Sequence, residues 1–354
     1  MQAVVLVGGE GTRLRPLTDT RPKPMMPLVD RPFVAHQLDH LRRFGVTDVV
    51  FSCGYRPDAL EAHFGDGAGV GVRLRYVVDP EPLGTAGAVA NALPVLGDED
   101  VLVLNGDILT DLDLNALIAG HRAAGALGTI ALTPVQDPSA YGLVRLRDDR
   151  SVLEFVEKPG PEQLIPGEPY RINAGTYLLS REVIDAIPAG RACSIEREVF
   201  PAVAARGGLY GHPSDCYWRD IGTPESYLQA HGDVLAGRVR TDAPRGEAHL
   251  GEGASVDPAA DVGGGASLGP GSTVAAGATV RGSVVGRDAR IGRDAVVVGA
   301  VLGEGVVVGE GARLEGLVVV GDGAVIEPGA HLTGPATVPT GARGPVAAAA
   351  GGAA

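Results

Sequence analysis

The sequence predicts an α/β domain built on a doubly wound sheet, followed by an all-β solenoid, and three observations carry that expectation. Over residues 1 to about 135, short apolar runs alternate with stretches bearing apolar residues at helical spacing, the pattern of βαβ units. From Val256 to Leu332 an aliphatic residue recurs fourteen times, in eleven steps of six residues and two of five. All eight Tyr, six Phe and the one Trp lie at or before Tyr227, so the two parts need cores of different chemistry.

In the first part, strands are expected at 3–7, 48–52, 72–77, 101–105 and 129–132, with helices at 34–44, 58–64, 85–93 and 112–124. Beyond Tyr141 the strands are less regular, at 142–146, 152–156, 171–179 and 209–212, with helices at 181–187, 195–206 and 224–235. This second stretch reads as an elaboration that closes over a substrate. The expected organisation is a domain at 1–235, a Gly/Arg/Pro-bearing linker at 236–254, the solenoid at 255–338 and a disordered tail at 339–354. Each hexad is read as a short strand, a tight corner and one aliphatic knob pointing inward.

A formal charge of −13 argues against nucleic-acid and membrane-surface partners, which call for a basic face. Phosphate sites are local, however, and Arg13, Arg15, Arg21 and Lys23 fall within eleven residues. The three cysteines, Cys53, Cys193 and Cys216, are odd in number and lack CxxC spacing, which fits a reducing compartment. No signal-like leader and no apolar run of about 18 residues is present, so a soluble cytoplasmic protein is expected.

The first strand runs directly into GGEGTRLRPLT at 8–18, with Pro22, Lys23 and Pro24 close behind. Gly8, Gly9 and Gly11 let the backbone approach a polyphosphate and aim N–H groups at it, an anion cradle distinct from both the GxGxxG and P-loop patterns. Of thirty basic side chains only Lys23 and Lys158 are lysine, as though Arg serves wherever charge alone is required. A compact ammonium can act as a point charge on one phosphate oxygen in a crowded site. Asp107 closes the apolar run VLVLNGD and so belongs at the carboxyl end of a central strand, where a hard oxygen ligand suits Mg²⁺.

These motifs resemble the sugar nucleotidyltransferases, also called NDP-sugar pyrophosphorylases, over about residues 1–230. Further matches follow in order: Glu81 to Gly87, Asn105-Gly106-Asp107, Glu157-Lys158-Pro159, Ile172-Asn173-Ala174-Gly175 and Trp218 to Pro224. The resemblance implies a Rossmann-like, doubly wound mixed sheet of the nucleotide-diphospho-sugar transferase type. It implies nucleotide contacts from Leu6, Gly8, Gly9, Gly11, Thr12, Arg13, Lys23 and Gly84. Tyr141, Gly142, Glu157, Lys158 and Asn173 would bind the sugar phosphate, and Asp107 with Asp220 would hold Mg²⁺. Arg13, Lys23, Asp107 and Lys158 would be catalytic, and Glu196 resembles a position near the sugar. The hexads resemble the left-handed parallel β-helix of hexapeptide-repeat proteins, here four to five coils, a surface for assembly into a homo-oligomer.

The implied reaction is attack of a sugar 1-phosphate oxygen on the α-phosphorus of a nucleoside triphosphate, with pyrophosphate leaving. The resemblance is nearest to mannose-1-phosphate guanylyltransferases, which makes GTP and mannose 1-phosphate the expected substrates. Glucose-1-phosphate thymidylyl-, uridylyl- and adenylyltransferases share the core motifs. Two readings from different classes stay open: a non-catalytic NDP-sugar-binding regulatory subunit, and a hexapeptide-repeat acyltransferase, which has only His249 and His331 to offer as a base. His36 and His40, spaced i, i+4, are read as helix surface, and the GxSxG match at 265–269 as chance in a Gly-rich stretch.

Overall fold

The computed structural model describes residues 1–54, 57–165, 167, 169–343 and 349–350. The chain forms two compact units, one of Met1–Gly9 with Gln37–Trp218, the other of Glu10–His36 with Arg219–Ala354.

In the first unit, strands β1 (Gln2–Leu6), β2 (Asp48–Cys53), β3 (Arg73–Val78) and β4 (Val101–Asn105) run parallel in the order β4-β1-β2-β3. They are linked through helices α1 (Phe33–Arg43, entered from the second unit), α2 (Pro57–Phe64) and α3 (Gly84–Asn91). Helix α4 (Leu114–Ala124) leads into β5 (Gly128–Val135), β6 (Gly142–Leu146), β7 (Val152–Glu157) and β8 (Tyr170–Leu179). Strand β8 lies antiparallel to β4, β5 and β6, so the sheet is mixed. Two short helices, α5 (Arg181–Asp185) and α6 (Phe200–Ala205), precede β9 (Leu209–Pro213), which pairs with β5. Val4, Val50, Val101 and Val103 pack with Ala86 and Val89 of α3 and with Tyr177 and Phe200. Central parallel strands buried on both faces read as continuous apolar runs, which is why these segments were legible.

The expected single helix at 195–206 is instead a π-turn, Ile195–Val199, followed by α6. Pro201 has no N–H to donate to the carbonyl four residues back, so a continuous α ladder cannot form there. His36 and His40 are buried, contrary to the surface reading. Only Asp39, Arg42 and Arg43 of α1 reach solvent, and the His36 Nε2 lies 2.9 Å from the Leu28 carbonyl.

In the second unit, three stacks of short parallel strands form the β-helix. The first stack contains Ala248–Leu250, Ala266–Leu268, Val284–Val285, Val301–Leu302, Val318–Val320 and Ala336–Val338. The other two contain five strands each, which makes five full coils and the start of a sixth. The β-helix therefore begins inside the segment read as linker. Within the segment read as tail, Ala349–Ala350 pairs antiparallel with the last coil, while 344–348 and 351–354 lie outside the described residues. Each hexad turns two residues inward rather than one. A fully buried alanine precedes the aliphatic residue by two positions at Ala278/Val280, Ala289/Ile291, Ala295/Val297, Ala300/Leu302, Ala312/Leu314 and Ala324/Ile326. Alternate strand residues share a face, so the position two before each aliphatic residue also faces the interior, where it is usually small but is a second valine at Val306/Val308 and Val318/Val320.

The second unit takes in the 10–36 segment as well as everything from Arg219 on. Leu14, Leu17, Met26 and Tyr227 share one buried apolar cluster with Val284, Val301 and Val319. Those three valines point outward from the β-helix, so one of its faces is covered by the 10–36 segment. Helix α7 (Pro224–Leu235) adds His231, wholly buried, whose ring lies 3.3 Å from the Val29 amide and 3.1 Å from the Pro27 carbonyl. Burial, reinforced by His36 and His249, pushes its pKa from 6.5 down to about 3. The unfolded chain takes up this proton below about pH 6.5 and the folded chain does not. Stability should therefore fall by up to about 1.4 kcal/mol per pH unit on acidification from 6.5, from this group alone. Urea unfolding of the wild type between pH 7 and 5 is expected to show a steeper loss than His231→Gln; parallel slopes would exclude this origin.

Candidate active site

In the first unit β1 and β4 are in register with Leu6 beside Asn105, so both strands release the chain at the same rim. The Gly106 amide donates to the Leu6 carbonyl at 2.9 Å. A Cβ on Gly106 would stand 2.5 Å from that oxygen, so only glycine lets Asp107 emerge here. The Gln37 side-chain amide donates to the carbonyls of Asn105 (2.9 Å) and Ile108 (3.0 Å), pinning the turn on both sides of Asp107. Gly8 lies against Gly54, where a Cβ would meet the Gly54 nitrogen at 3.1 Å.

Gly84, at φ +68°, opens α3 under the Cys193 carbonyl, which a Cβ would approach to 2.8 Å. That carbonyl accepts the amides of Ala86 (2.9 Å) and Gly87 (3.2 Å), and the Cys193 amide donates to Leu83 at 2.8 Å. The Thr85 hydroxyl accepts the Ile195 amide (2.8 Å) and donates to Glu196 (2.9 Å), which also accepts from Ser194. The Gly84 loop, which the resemblance expects to contact the nucleotide, is thus tied through Thr85 to Glu196.

At the end of β7, Lys158 is exposed and holds φ +53°, a left-handed conformation that few non-glycine residues adopt, with its amide donating to the Tyr141 carbonyl at 2.9 Å. Strain of this kind clusters at functional sites. Glu157 pairs with Gly142 across the ladder, and burial together with the charge of Glu196 raises its carboxyl pKa. Asn173 donates to the Tyr177 hydroxyl and accepts the Gly175 amide, both at 2.9 Å. Gly175 stands close to Asn105, and the register shift in β8 between Asn173 and Tyr177 makes room for this turn. Tyr141 meets Trp218 edge-on at 5.4 Å, and the indole N–H donates to the Ala174 carbonyl at 2.9 Å.

In the second unit Gly11, at φ +66°, is packed so that a Cβ would lie 3.0 Å from that of Lys23 and 3.1 Å from Thr18 Cγ2. Lys23 is buried, and its Nζ stands 3.8 Å from one oxygen of Asp220 while Arg13 Nη2 stands 3.8 Å from the other. The Gly222 amide donates to Asp220 at 2.7 Å. Thr223 caps α7, accepting from the Ser226 amide, so Asp220 is not the helix cap. Of the four clustered cations, Arg15 faces Glu10 and Asp19, and Arg21 is held by Glu304 and Asp322. Arg13 and Lys23 are the pair that share Asp220. Among the described residues no group of three or more His, Cys, Asp or Glu could hold a metal ion, and no helix is long and apolar enough to cross a membrane.

Residues 2–237 match the Nucleotidyl transferase family and residues 245–341 the family described as GMPPB C-terminal domain. The mannose-1-phosphate guanylyltransferase of Mycobacterium tuberculosis is 42% identical over 268 residues, covering 73% of this chain and 72% of that one. The chain belongs to the nucleotidyl transferase family.

A mannose-1-phosphate guanyltransferase of Aspergillus fumigatus is 38% identical over 273 residues, covering 74% of this chain and 73% of its own. Among solved structures, HddC from Yersinia pseudotuberculosis is 30% identical with TM-score 0.56, covering 65% of this chain and 97% of that one. The same protein is also known complexed with GMP-PN, with TM-score 0.54 at 29% identity and the same coverage. This nucleotidyltransferase carries site features that its motifs did not disclose. Gln37 lies outside every motif of the sequence, and the strain at Lys158 has no composition signal. The tie from Thr85 to Glu196 joins residues 111 positions apart.

Proposed function

We propose that this nucleotidyltransferase makes GDP-mannose and pyrophosphate from GTP and mannose 1-phosphate. The observation that carries the proposal is the 42% identity to a mannose-1-phosphate guanylyltransferase across nearly three quarters of both chains, alongside the paired cations Arg13 and Lys23.

In this reading the backbone at Leu6, Gly8, Gly9 and Gly84 frames the base, and Gly11 and Thr12 offer amides to the phosphates. Arg13 and Lys23 hold the β- and γ-phosphates as they depart. Lys158 draws in the sugar phosphate, with Tyr141, Gly142, Glu157 and Asn173 about the sugar. No covalent intermediate and no proton shuttle is needed; positioning and charge neutralisation supply the rate.

Asp107 and Asp220 are assigned to Mg²⁺. The half-buried Asp107 and the Asp220 carboxylate, already set among cations, are hard oxygen donors, and Mg²⁺ takes only one or two carboxylates plus phosphates and water. When bound, the ion supplies Lewis-acid stabilisation of the charge developing on the phosphates.

The test is a matrix of five nucleoside triphosphates against several sugar 1-phosphates, read by pyrophosphate release with Mg²⁺. GTP with mannose 1-phosphate is expected to give the highest kcat/KM. A preference for another pair reassigns the substrates; tight NDP-sugar binding with no release from any pair favours a regulatory protein.

A further inference from the structure

Arg21, two residues before Lys23, is half-buried, and its guanidinium forks onto two corners of the β-helix, reaching Glu304 at 2.7 Å and Asp322 at 3.0 Å. Asp322 also accepts from the Thr20 hydroxyl at 2.5 Å and from the Glu304 amide at 2.8 Å. The two corners belong to successive coils, joined by the Gly323 amide donating to the Glu304 carbonyl at 2.7 Å. One coil further on, the Thr340 hydroxyl donates to Asp19 at 3.3 Å. Beneath these polar contacts, Leu14, Leu17 and Met26 sit on Val284, Val301 and Val319.

Two features make this arrangement a lever on the phosphate cations. Pro22 and Pro24 flank Lys23, and each ring fixes one backbone angle, so the orientation imposed at Arg21 passes to Lys23 with little slack. Arg13 is bonded directly to Leu14, which is wholly buried in the apolar contact. A guanidinium forked onto two half-buried carboxylates is geometrically more exacting than a single exposed ion pair.

We propose that Arg21 is a positioning residue, and that through Glu304 and Asp322 the β-helix sets the polyphosphate affinity of the Arg13–Lys23 pair. The proposal rests on the assignment of those cations to the triphosphate. It gives the covered face of the β-helix a part in substrate binding beyond the assembly surface expected from its repeats.

The competing idea, that Arg21 itself contacts phosphate, predicts the opposite sign, because loosening its carboxylates would free it. In the full-length chain, Glu304→Gln/Asp322→Asn is expected to weaken pyrophosphate binding by calorimetry about tenfold. The KM for triphosphate should rise in parallel, while the KM for sugar 1-phosphate and the melting temperature stay near the wild type. Arg21→Lys keeps the charge but loses the fork, and should weaken pyrophosphate about threefold. Unchanged or tighter pyrophosphate binding in the double variant overturns the proposal, as does wild-type affinity in Arg21→Lys or a wild-type chain that binds no pyrophosphate. Should the double variant fail to fold, Glu304→Gln alone takes its place, with the same expected direction and the same overturning result. The titration uses neither base nor sugar, so it is read even if the substrate matrix refutes the guanylyltransferase assignment.

Discussion

Asp107→Asn is expected to lower turnover about a thousandfold at saturating divalent ion while moving the melting temperature by no more than a few degrees. The substitution keeps the shape of the side chain. Gly106 still passes under the Leu6 carbonyl, and Gln37 still holds Asn105 and Ile108, so the turn itself is not asked to change. What is lost is one negative oxygen donor, and with it the grip on an ion whose charge matters most when the phosphates carry extra charge in the transition state. Pyrophosphate release across a titration of Mg²⁺ and Mn²⁺ reads the effect; a near-normal rate at saturation removes Asp107 from its assigned role.

Lys23→Arg should cost about a hundredfold in kcat/KM for the triphosphate although it preserves the charge. Lys23 is only 8% exposed, pressed against Gly11, and held between two prolines, so a wider planar head has no room to reach the position of the ammonium. The remaining twenty-eight basic residues of the chain are all arginine, which is the pattern expected if arginine is acceptable nearly everywhere except here and at Lys158. Lys23→Met separates charge from shape: it should lose as much or more activity. An arginine variant within threefold of the wild type would show that charge alone suffices.

Most of the expected strands and helices lie within a residue or two of the observed ones because each is coded by its own neighbours, although the strand expected at 129–132 runs on to Val135. A parallel strand buried on both faces is an apolar run, as at Val101–Asn105, and α7 begins where Thr223 and Pro224 say it should. The hexads announced a β-helix for the same reason, since each repeat packs on the next by one rule. Pro201 is equally visible in the sequence, and its missing N–H is what breaks the single helix expected at 195–206.

Residue types in order, down to two isolated lysines, a strand-end aspartate and glycines beside them, were enough to specify an α/β sheet, a β-helix and the nucleotidyltransferase class. The partners of those residues were settled by tertiary structure alone: Arg21 meets Glu304 and Asp322 across 283 and 301 positions, and His36 and His40 lie buried in a helix that reads as half polar. Gly106 is required by an oxygen of Leu6, and the 10–36 segment keeps company with the β-helix rather than with the sheet it follows. Periodicity and propensity report contacts within a few residues, whereas burial and ion pairing are set by whichever distant surface the folded chain brings up against them.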